Sequence, residues 1–246
     1  MFTANMKNTA AFVFTEDDEE KIPIGTGFWL EKDNESYFVT AKHMIEDEAE
    51  IYIRMNTEKG LLFQEVELTK NQPLYHENPA IDIAIIPLKP RKGAKYFMIN
   101  AGMLIDNEFV EKVGVIEGDD VFFIGLLPQF FGKLKNTPVV RTGKVALVTD
   151  ELFEDEDGEA LYFYIEAHCF PGNSGSPVFM RMASMDANGN ISYAGNQVLL
   201  LGVMCGYLNQ YREIRKGAKI SKFNFDENVH IAMVSPAHGI LDIIDS

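Results

Sequence analysis

The chain has 246 residues, 46% of them hydrophobic, and a formal net charge of −15 at pH 7. A chain of this length can bury about 70–75% of its unfolded surface, which suffices for one large domain or two small ones without a stabilising metal or disulfide. The acidic charge argues against nucleic acids and anionic membranes as partners, because both are bound through clustered Lys and Arg residues.

The first 21 residues contain a short apolar stretch, residues 10–14, followed by an acidic run, residues 16–20. This arrangement matches neither a secretory signal nor a transmembrane span. The only two cysteines, Cys169 and Cys205, are fewer than the disulfide framework of a secreted protein requires. We therefore expect a cytoplasmic protein.

Short apolar and β-branched segments separated by Gly, Pro, Asn and Asp recur along the chain, and long helical periodicity is scarce. This pattern predicts an all-β protein. The segments suffice for two six-stranded antiparallel β-barrels in one domain, with an N-terminal barrel over about 1–90, a connection over 91–114 and a C-terminal barrel over 115–246. The predicted strands are residues 10–14, 27–30, 36–41, 49–54, 66–68, 83–88, 121–124, 138–148, 161–167, 177–182, 197–207 and 229–234.

Two further segments have a distinct pattern. Ser235 and Pro236 precede apolar residues at near-helical spacing, which predicts a short C-terminal helix. Residues 150–159 are strongly acidic around Gly158 and lie between two predicted strands, so they are expected to form a solvated hairpin tip. A functional alternative is that this tip repels acidic substrates or attracts basic ones.

The segment that indicates chemistry is residues 171–177, Pro-Gly-Asn-Ser-Gly-Ser-Pro. It presents Ser174 on a glycine-flanked turn, where the hydroxyl and the backbone N–H can both face a substrate. A serine becomes a strong nucleophile only when a base accepts its proton, so an imidazole is also required. His43 follows a predicted strand and Asp82 interrupts the apolar run 81–86, where a carboxylate is costly unless it accepts hydrogen bonds.

These three residues occur in the order His, Asp, Ser. Subtilisin-type enzymes have the order Asp, His, Ser, and α/β-hydrolases have Ser, acid, His. The nucleophile motif of the hydrolases, Gly-x-Ser-x-Gly, is also missed, because the five residues from Gly172 end on Ser176. The order is that of the chymotrypsin layout.

Three segments carry a resemblance to a known family: Gly-Thr-Gly-Phe at 25–28, Asp-Ile-Ala-Ile-Ile-Pro-Leu at 82–88 and the seven residues 171–177. Together with residues 117–125, 140–145 and 229–236, they resemble the trypsin-like serine peptidases over nearly the whole chain. The HtrA/Deg-like protease domain is the most similar branch. Many HtrA-like proteins continue into a PDZ domain, whereas this sequence ends at Ser246, so none is expected.

The resemblance implies a chymotrypsin-like double barrel whose active site lies in the cleft between the barrels, with no cofactor and no metal. His43 would act as general base and then general acid, Asp82 would orient it, and Ser174 would form the acyl-enzyme. The N–H groups of Gly172, Asn173 and Ser174 are the candidate oxyanion hole. A tight turn alone would also explain the two glycines beside Ser174.

Asn173 and Ser176 depart from trypsin, which has Asp and Gly at the corresponding positions. The Asp of trypsin pairs with a newly cleaved N-terminus, which an Asn cannot do. We therefore expect an enzyme that needs no N-terminal maturation, as in HtrA-like enzymes with the same Gly-Asn-Ser-Gly. Ser176 is expected to alter only the fine shape of the turn.

Specificity is also inferred from the resemblance. Trypsin-like enzymes that cleave after Lys or Arg have an Asp six residues before the nucleophile, and His168 is at that position here. The expected substrate has a small or medium apolar side chain before the cleaved bond, or an acidic one if His168 is charged. The candidate substrate-binding residues are His168, Cys169, Phe170, Cys205, Gly206 and Tyr207.

The predicted function is a serine endopeptidase that acts on proteins or peptides bound in an extended form. Two alternatives share the same fold. The chain could be a catalytically silent pseudoprotease that binds proteins, although the complete set of three catalytic residues argues against this. It could also be an esterase that uses the same residues on a different leaving group.

Overall fold

The computed structural model describes residues 4–112, 114–149, 151–155, 158–182, 184–185, 191–192, 198–211, 214–216, 219–221 and 226–246. Within these ranges the chain consists mainly of β-strands. Short 3-10 segments connect some of them: Ala4–Asn8, Lys42–Met44, Ala101–Met103 and Pro128–Phe130. No helix in the described ranges is both long enough and apolar enough to cross a membrane.

The N-terminal half forms one eight-stranded sheet. Seven strands are ordered β5-β4-β1-β2-β3-β7-β6 with antiparallel pairing, and β8 pairs with β2 in parallel. The strands are β1 (Ala10–Asp17), β2 (Glu20–Lys32), β3 (Glu35–Thr40), β4 (Glu50–Asn56), β5 (Leu61–Glu67), β6 (Leu74–Tyr75), β7 (Ala84–Pro87) and β8 (Met98–Asn100).

Local sequence explains the tight connections in this sheet. The β2–β3 hairpin turns at Asp33 and Asn34, whose φ angles are +53° and +67°. Asp and Asn tolerate such angles, which a two-residue hairpin of this twist requires. Pro23 pairs with Phe14 at the point where the register of β1 and β2 shifts, because a proline cannot donate to the strand ladder.

The C-terminal half contains a closed six-stranded barrel of order β10-β13-β20-β17-β14-β9. Helix α1 (Asn107–Lys112) precedes the barrel and helix α2 (His238–Asp245) follows it. The strands of this half are β9 (Asp120–Gly125), β10 (Val139–Leu147), β11 (Phe153–Asp155), β12 (Gly158–Ala160), β13 (Phe163–Glu166), β14 (Pro177–Arg181), β15 (Ser184–Met185), β16 (Ile191–Ser192), β17 (Val198–Tyr211), β18 (Ile214–Lys216), β19 (Lys219–Ser221) and β20 (Asp226–Pro236).

Apolar side chains fill each half and also join the two. Trp29 and Phe38 pack inside the N-terminal sheet, while Phe123 packs inside the barrel. A third cluster lies between the halves and includes Phe28 and Ile240 of α2. Burial of apolar surface between the halves fixes them against each other, so the cleft between them has defined walls.

The predicted all-β fold with a short C-terminal helix is confirmed, and each of the twelve predicted strands overlaps an observed one. The C-terminal barrel has the predicted six strands and closes. The N-terminal half differs in detail, since its described strands form an eight-stranded sheet and no ring closes among them. The added strands are β6, which extends the sheet beyond β7, and β8, which lies in the predicted connection and pairs with β2.

Candidate active site

Ser174 lies on the loop between β13 and β14, and consecutive turns define the conformation of this loop. The Asn173 N–H donates to the Phe170 carbonyl at 3.0 Å, and the Ser176 N–H donates to the Asn173 carbonyl at 3.0 Å. The Gly175 N–H donates to the Met204 carbonyl of β17 at 2.7 Å. These bonds hold the Ser174 backbone against the barrel.

Both glycines beside Ser174 are required by the backbone. Gly172 has φ of +92° and Gly175 has φ of +78°, a region that side chains with a Cβ rarely adopt. A Cβ on Gly172 would lie 2.8 Å from Pro128 Cγ, and one on Gly175 would lie 1.9 Å from the Thr26 carbonyl oxygen. No other residue fits either position without rearrangement.

The Ser174 loop presents two unpaired backbone donors. Within the described part of the chain, the N–H groups of Gly172 and Ser174 donate to no protein acceptor, whereas the N–H of Asn173 between them binds Phe170. Two unpaired donors next to a serine hydroxyl can bind an anionic oxygen.

The buried side chain of Asn173 stabilises the same loop from inside. Its Oδ1 accepts from the Phe170 N–H at 2.9 Å, and its Nδ2 donates to the Leu126 carbonyl at 2.7 Å. An amide can serve both partners because it is both donor and acceptor. The loop is therefore ordered by contacts internal to this chain.

Thr26, which is fully buried on β2, connects the loop to the N-terminal sheet. Its N–H donates to the Ser174 carbonyl at 2.9 Å, and its hydroxyl donates to the Gly172 carbonyl at 3.0 Å. The same hydroxyl accepts from the Leu126 N–H at 2.9 Å. The sequence pattern did not indicate this role, although Thr26 lies in the Gly-Thr-Gly-Phe segment that signalled the family resemblance.

His43 and Asp82 are brought together at one end of the paired strands β3 and β7 in the N-terminal sheet. His43 lies in the 3-10 turn that follows β3, and Asp82 lies just before β7, which pairs with β3. The Asp82 carboxylate binds His43 twice, through the backbone N–H at 2.9 Å and through ring Nδ1 at 2.6 Å. Because an ionised carboxylate only accepts, this geometry places the ring proton on Nδ1 and leaves Nε2 as an acceptor.

The electrostatic environment favours the protonated form of His43. Burial alone lowers the pKa of His43, but the hydrogen bond and the charge of Asp82, assisted by the charge of Glu46, raise it above 6.5 overall. The ring is 47% exposed, so it remains accessible from the cleft. An imidazole of raised pKa is a better proton acceptor when neutral.

Gly25 allows the two parts of the site to approach. A Cβ on Gly25 would lie 2.0 Å from the Met44 Sδ and 3.0 Å from the Ser174 carbonyl oxygen. Because Met44 follows His43 directly, the absence of a side chain at Gly25 lets the histidine segment and the serine loop pack on the same strand. No hydrogen bond joins the Ser174 hydroxyl to His43 in the part of the chain that the structure describes.

A cavity of about 210 Å³ opens beside His43 and Asp82. We call it the first cavity. The Tyr162 hydroxyl at its wall donates to the Ala80 carbonyl at 2.7 Å, which holds the segment before Asp82 against the barrel. The lining residues used below are His43, Asp82, Tyr162, Cys205, Gly206 and Met233.

Two of the six candidate specificity residues, Cys205 and Gly206, line the first cavity. The Cys205 thiol donates to the Met233 carbonyl at 3.1 Å, and burial raises its pKa, so it is a neutral thiol. Tyr207 packs instead against the core of the barrel.

The other three lie at the start of the Ser174 loop. His168 is exposed, and its Nδ1 is 3.2 Å from His230 Nδ1, a contact that the sequence did not indicate. Cys169 is buried, which raises the pKa of its thiol to about 12. Phe170 is 42% exposed and stacks under the Arg141 guanidinium at 4.8 Å.

Neither cysteine forms a disulfide. Among the residues that the structure describes, no group of three or more His, Cys, Asp or Glu side chains is arranged to bind a metal ion.

Solved structures with a similar fold include two that are named as proteases. The protease domain of MamO from Magnetospirillum magneticum has a TM-score of 0.57 and 15% identity, over 97% of this chain and 96% of that one. The Rv3671c protease, in its inactive form, has a TM-score of 0.55 and 13% identity, over 98% and 90%. An inactive mutant of Rv3671c from M. tuberculosis has a TM-score of 0.53 and 14% identity, over 98% and 87%.

At these identities the similarity shows the fold alone. A search of curated proteins found no match. The model of the trypsin-like peptidase domain matches residues 25–184, about two thirds of the sequence, and this segment includes His43, Asp82 and Ser174. The chain therefore belongs to the trypsin-like peptidase domain family.

Proposed function

We propose that the protein is a serine endopeptidase that hydrolyses peptide bonds through Ser174, His43 and Asp82. The observation that carries this proposal is the double contact of Asp82 with His43, at 2.9 and 2.6 Å, across the cleft from the serine loop. The unpaired N–H groups of Gly172 and Ser174 support the same reading, because acyl transfer needs donors beside the nucleophile.

In the first half of the reaction, Nε2 of His43 accepts the hydroxyl proton of Ser174 while Oγ attacks the carbonyl carbon of the substrate. The carbonyl oxygen becomes an oxyanion and is bound by the N–H groups of Gly172 and Ser174. His43 then donates its proton to the amine as the C–N bond breaks, which leaves an acyl-enzyme. In the second half, water attacks the acyl carbon while His43 accepts its proton, and the bond from the acyl carbon to Ser174 Oγ then breaks as His43 returns the proton to Oγ and the acid is released.

Asp82 holds the proton of His43 on Nδ1, so that Nε2 faces the reaction. It also stabilises the imidazolium formed in each half-reaction, which agrees in direction with the raised pKa of His43. Asn173 is assigned to ordering the loop, since its N–H is bound to Phe170 and not directed to the substrate.

We place the enzyme near the HtrA/Deg-like branch, with proteins or peptides as substrates. The internal hydrogen bonds of Asn173 support this, because the loop is ordered without an ion pair to a cleaved N-terminus. The substrate would add to the free edge of β17 as an extended strand.

One observation favours a second function, a silent scaffold that binds peptides in the same cleft. The Ser174 hydroxyl and His43 are not hydrogen-bonded to each other within the described residues. Catalytic hydrogen bonds are often long before substrate binds, so this geometry is compatible with activity as well.

The deciding experiment is labelling with a fluorophosphonate followed by intact-mass measurement. We expect a single adduct that is lost in Ser174→Ala and retained in Ser176→Ala. Ser176 is a matched control, since it lies two residues away and its buried hydroxyl has no partner in the described structure. No adduct on the folded wild-type protein would contradict the proposed reaction, and hydrolysis of esters without peptides would assign an esterase.

A further inference from the structure

A second and larger cavity, of about 530 Å³, lies on the outer face of the C-terminal barrel. Its walls are mainly aliphatic and aromatic. Leu147 and Leu152 are about half exposed and line it together, so they belong to a contiguous apolar surface of the kind that marks ligand-binding grooves. The apolar residues used below are Leu147, Leu152, Phe153, Tyr164, Leu208 and Ile231.

The second cavity continues the first along three adjacent strands. On β17, Gly206 lines the first cavity and Leu208 lines the second. On β20, Met233 lines the first and Ile231 lines the second. On β20 the pairing with β13 is regular from Ile231 to Met233, so these two residues face the same side and lie about 6.6 Å apart. On β17 the register shifts between Tyr207 and Asn209, so there the relation rests on the cavity linings alone.

The chain that enters β13 shows the same relation. Tyr162, two residues before Tyr164 of β13, lines the first cavity, and Tyr164 lines the second. The two cavities are therefore offset by one repeat of an extended chain. A bound peptide in the β conformation has the same repeat, because its alternate side chains share a face.

The edge of β17 supplies the backbone partner for such a peptide. The strand β14 pairs with β17 only as far as Val203, and no described strand pairs with that edge from Cys205 to Leu208. Every strand pair in the barrel is antiparallel. Because β17 runs from Met204 toward Leu208, a substrate strand antiparallel to it has its amino-terminal side near Leu208. Its carboxyl-terminal side lies near the Ser174 loop, which is bound to Met204.

We propose that the second cavity binds a large apolar side chain of the substrate, two residues toward the amino terminus from the side chain in the first cavity. This inference rests on the proposed peptide-binding function. Gly206 has no side chain, so nothing projects from it between the two cavities. A Leu, Met, Phe or Tyr side chain fits the size and lining of the cavity.

The negative charge at the rim of the second cavity favours apolar over acidic substrate side chains. Glu151 is exposed beside Leu152 and lines the cavity. An acidic substrate side chain would lose its water in an apolar site next to a like charge, which costs free energy. Apolar pockets discriminate by about 10–200-fold per change of side-chain size, so a measurable preference is expected.

The inference can be tested without turnover. The Ser174→Ala protein is incubated with a random hexapeptide library, and the bound peptides are sequenced by mass spectrometry. The same is done with Leu152→Asp and Leu147→Asp added to Ser174→Ala. Leu134→Asp is the matched control, because Leu134 is 84% exposed and does not line the cavity.

We expect bound peptides to be enriched at least fivefold in Leu, Met, Phe or Tyr at one position. The enrichment should be lost in both cavity variants and retained in the Leu134→Asp control. No enrichment, or enrichment that survives both variants, would overturn the inference. Fluorophosphonate labelling tests the proposed chemistry separately, so each idea can fail without the other.

If the wild-type protein is active, a second measurement uses its cleavage products. A peptide mixture from a digested proteome is cleaved, and the new termini are identified. The apolar residue should lie upstream of the cleaved bond. In Leu152→Asp, kcat/KM for peptides with this apolar residue should fall at least fivefold, while the rate of fluorophosphonate labelling at Ser174 stays unchanged. A preference found only downstream of the bond would contradict the assigned direction of the peptide.

Discussion

The side chain of Asn173 donates a 2.7 Å hydrogen bond to the carbonyl of Leu126, which ties the loop of the candidate nucleophile to the residue after β9. The same side chain accepts from Phe170 within the loop. The buried side-chain amide of Asn173 thus accepts one hydrogen bond and donates another. A carboxylate at this position could only accept, so substitution by Asp would lose one of the two bonds.

Asn173→Asp should therefore destabilise the loop. The carboxylate keeps the contact with the Phe170 N–H, but it faces the Leu126 carbonyl without a proton to donate. We expect a loss of about 1–3 kcal/mol in the free energy of unfolding and a slower reaction of Ser174 with a fluorophosphonate. Urea denaturation and labelling kinetics measure the two effects.

The matched control is Asn71→Asp, since Asn71 Nδ2 donates to the Glu67 carbonyl at a less buried site. Its effect on unfolding should be within about 0.5 kcal/mol, with labelling unchanged. Equal stability of both variants would show that the Leu126 contact contributes nothing.

The pH dependence of labelling should report the pKa of His43. Only the neutral imidazole accepts a proton, so the rate should rise with pH and reach half its maximum above pH 6.5, where the raised pKa lies. Removing the Glu46 charge in Glu46→Gln should lower that pKa and move the midpoint to lower pH. A stopped-flow or intact-mass pH series from about 5 to 9, which brackets the ordinary pKa of histidine, gives the midpoint.

Glu50→Gln serves as the control, because Glu50 lies on β4 and its charge does not contribute to the shift of His43. Its midpoint should coincide with that of the wild type. A Glu46→Gln midpoint that moves to higher pH would contradict the electrostatic account, since removing a negative charge cannot favour the protonated ring.

Asp82→Asn should inactivate the protein without unfolding it. The asparagine can donate to Nδ1 of His43, which moves the ring proton to Nε2 and removes the acceptor for the Ser174 hydroxyl. A loss of about 10⁴ in labelling rate is expected, the scale of such substitutions in serine peptidases. The rate constant with fluorophosphonate measures it.

Asp242→Asn tests whether the effect is specific. Asp242 lies 3.7 Å from His76 and outside the cleft residues, so the variant also removes a carboxylate near a histidine. Its labelling rate should equal that of the wild type. A similar loss of labelling rate in both variants would mean that the effect of Asp82→Asn comes from the loss of a negative charge and not from a change in the tautomer of His43.

The sequence predicted the twelve strands of four or more residues because each contains a local apolar run. It also predicted the pairing partners at the site, His43 and Asp82, from residue type and order. It missed eight strands of two or three residues each, because segments of that length carry no periodic signal. They are β6, β8, β11, β12, β15, β16, β18 and β19.

Long-range contacts were also beyond sequence reasoning. The Thr26 hydroxyl bonds to residues 146 and 100 positions away, and nothing in the local pattern indicates either partner. The second cavity has the same origin, because Tyr164, Leu208 and Ile231 come from three separate strands. Such features arise from the arrangement of strands in the barrel and not from any one segment.

Gly175→Ala should be the more harmful of two substitutions at positive φ. The new Cβ would lie 1.9 Å from the Thr26 carbonyl oxygen and 2.5 Å from Thr40 Oγ1, so both conformation and packing oppose it. Gly118 has φ of +94°, but a methyl group added there would meet nothing within 4 Å, so Gly118→Ala isolates the conformational cost.

We expect Gly118→Ala to lower the free energy of unfolding by about 1–2 kcal/mol and Gly175→Ala by at least about 2 kcal/mol more, with loss of labelling at Ser174 only in the latter. Denaturant melts and intact-mass labelling of both variants provide the comparison. Equal costs would mean that the loop of Ser174 relaxes away from Thr26, and a Gly175→Ala protein that still reacts at the wild-type rate would show that this close approach is not needed for the nucleophile.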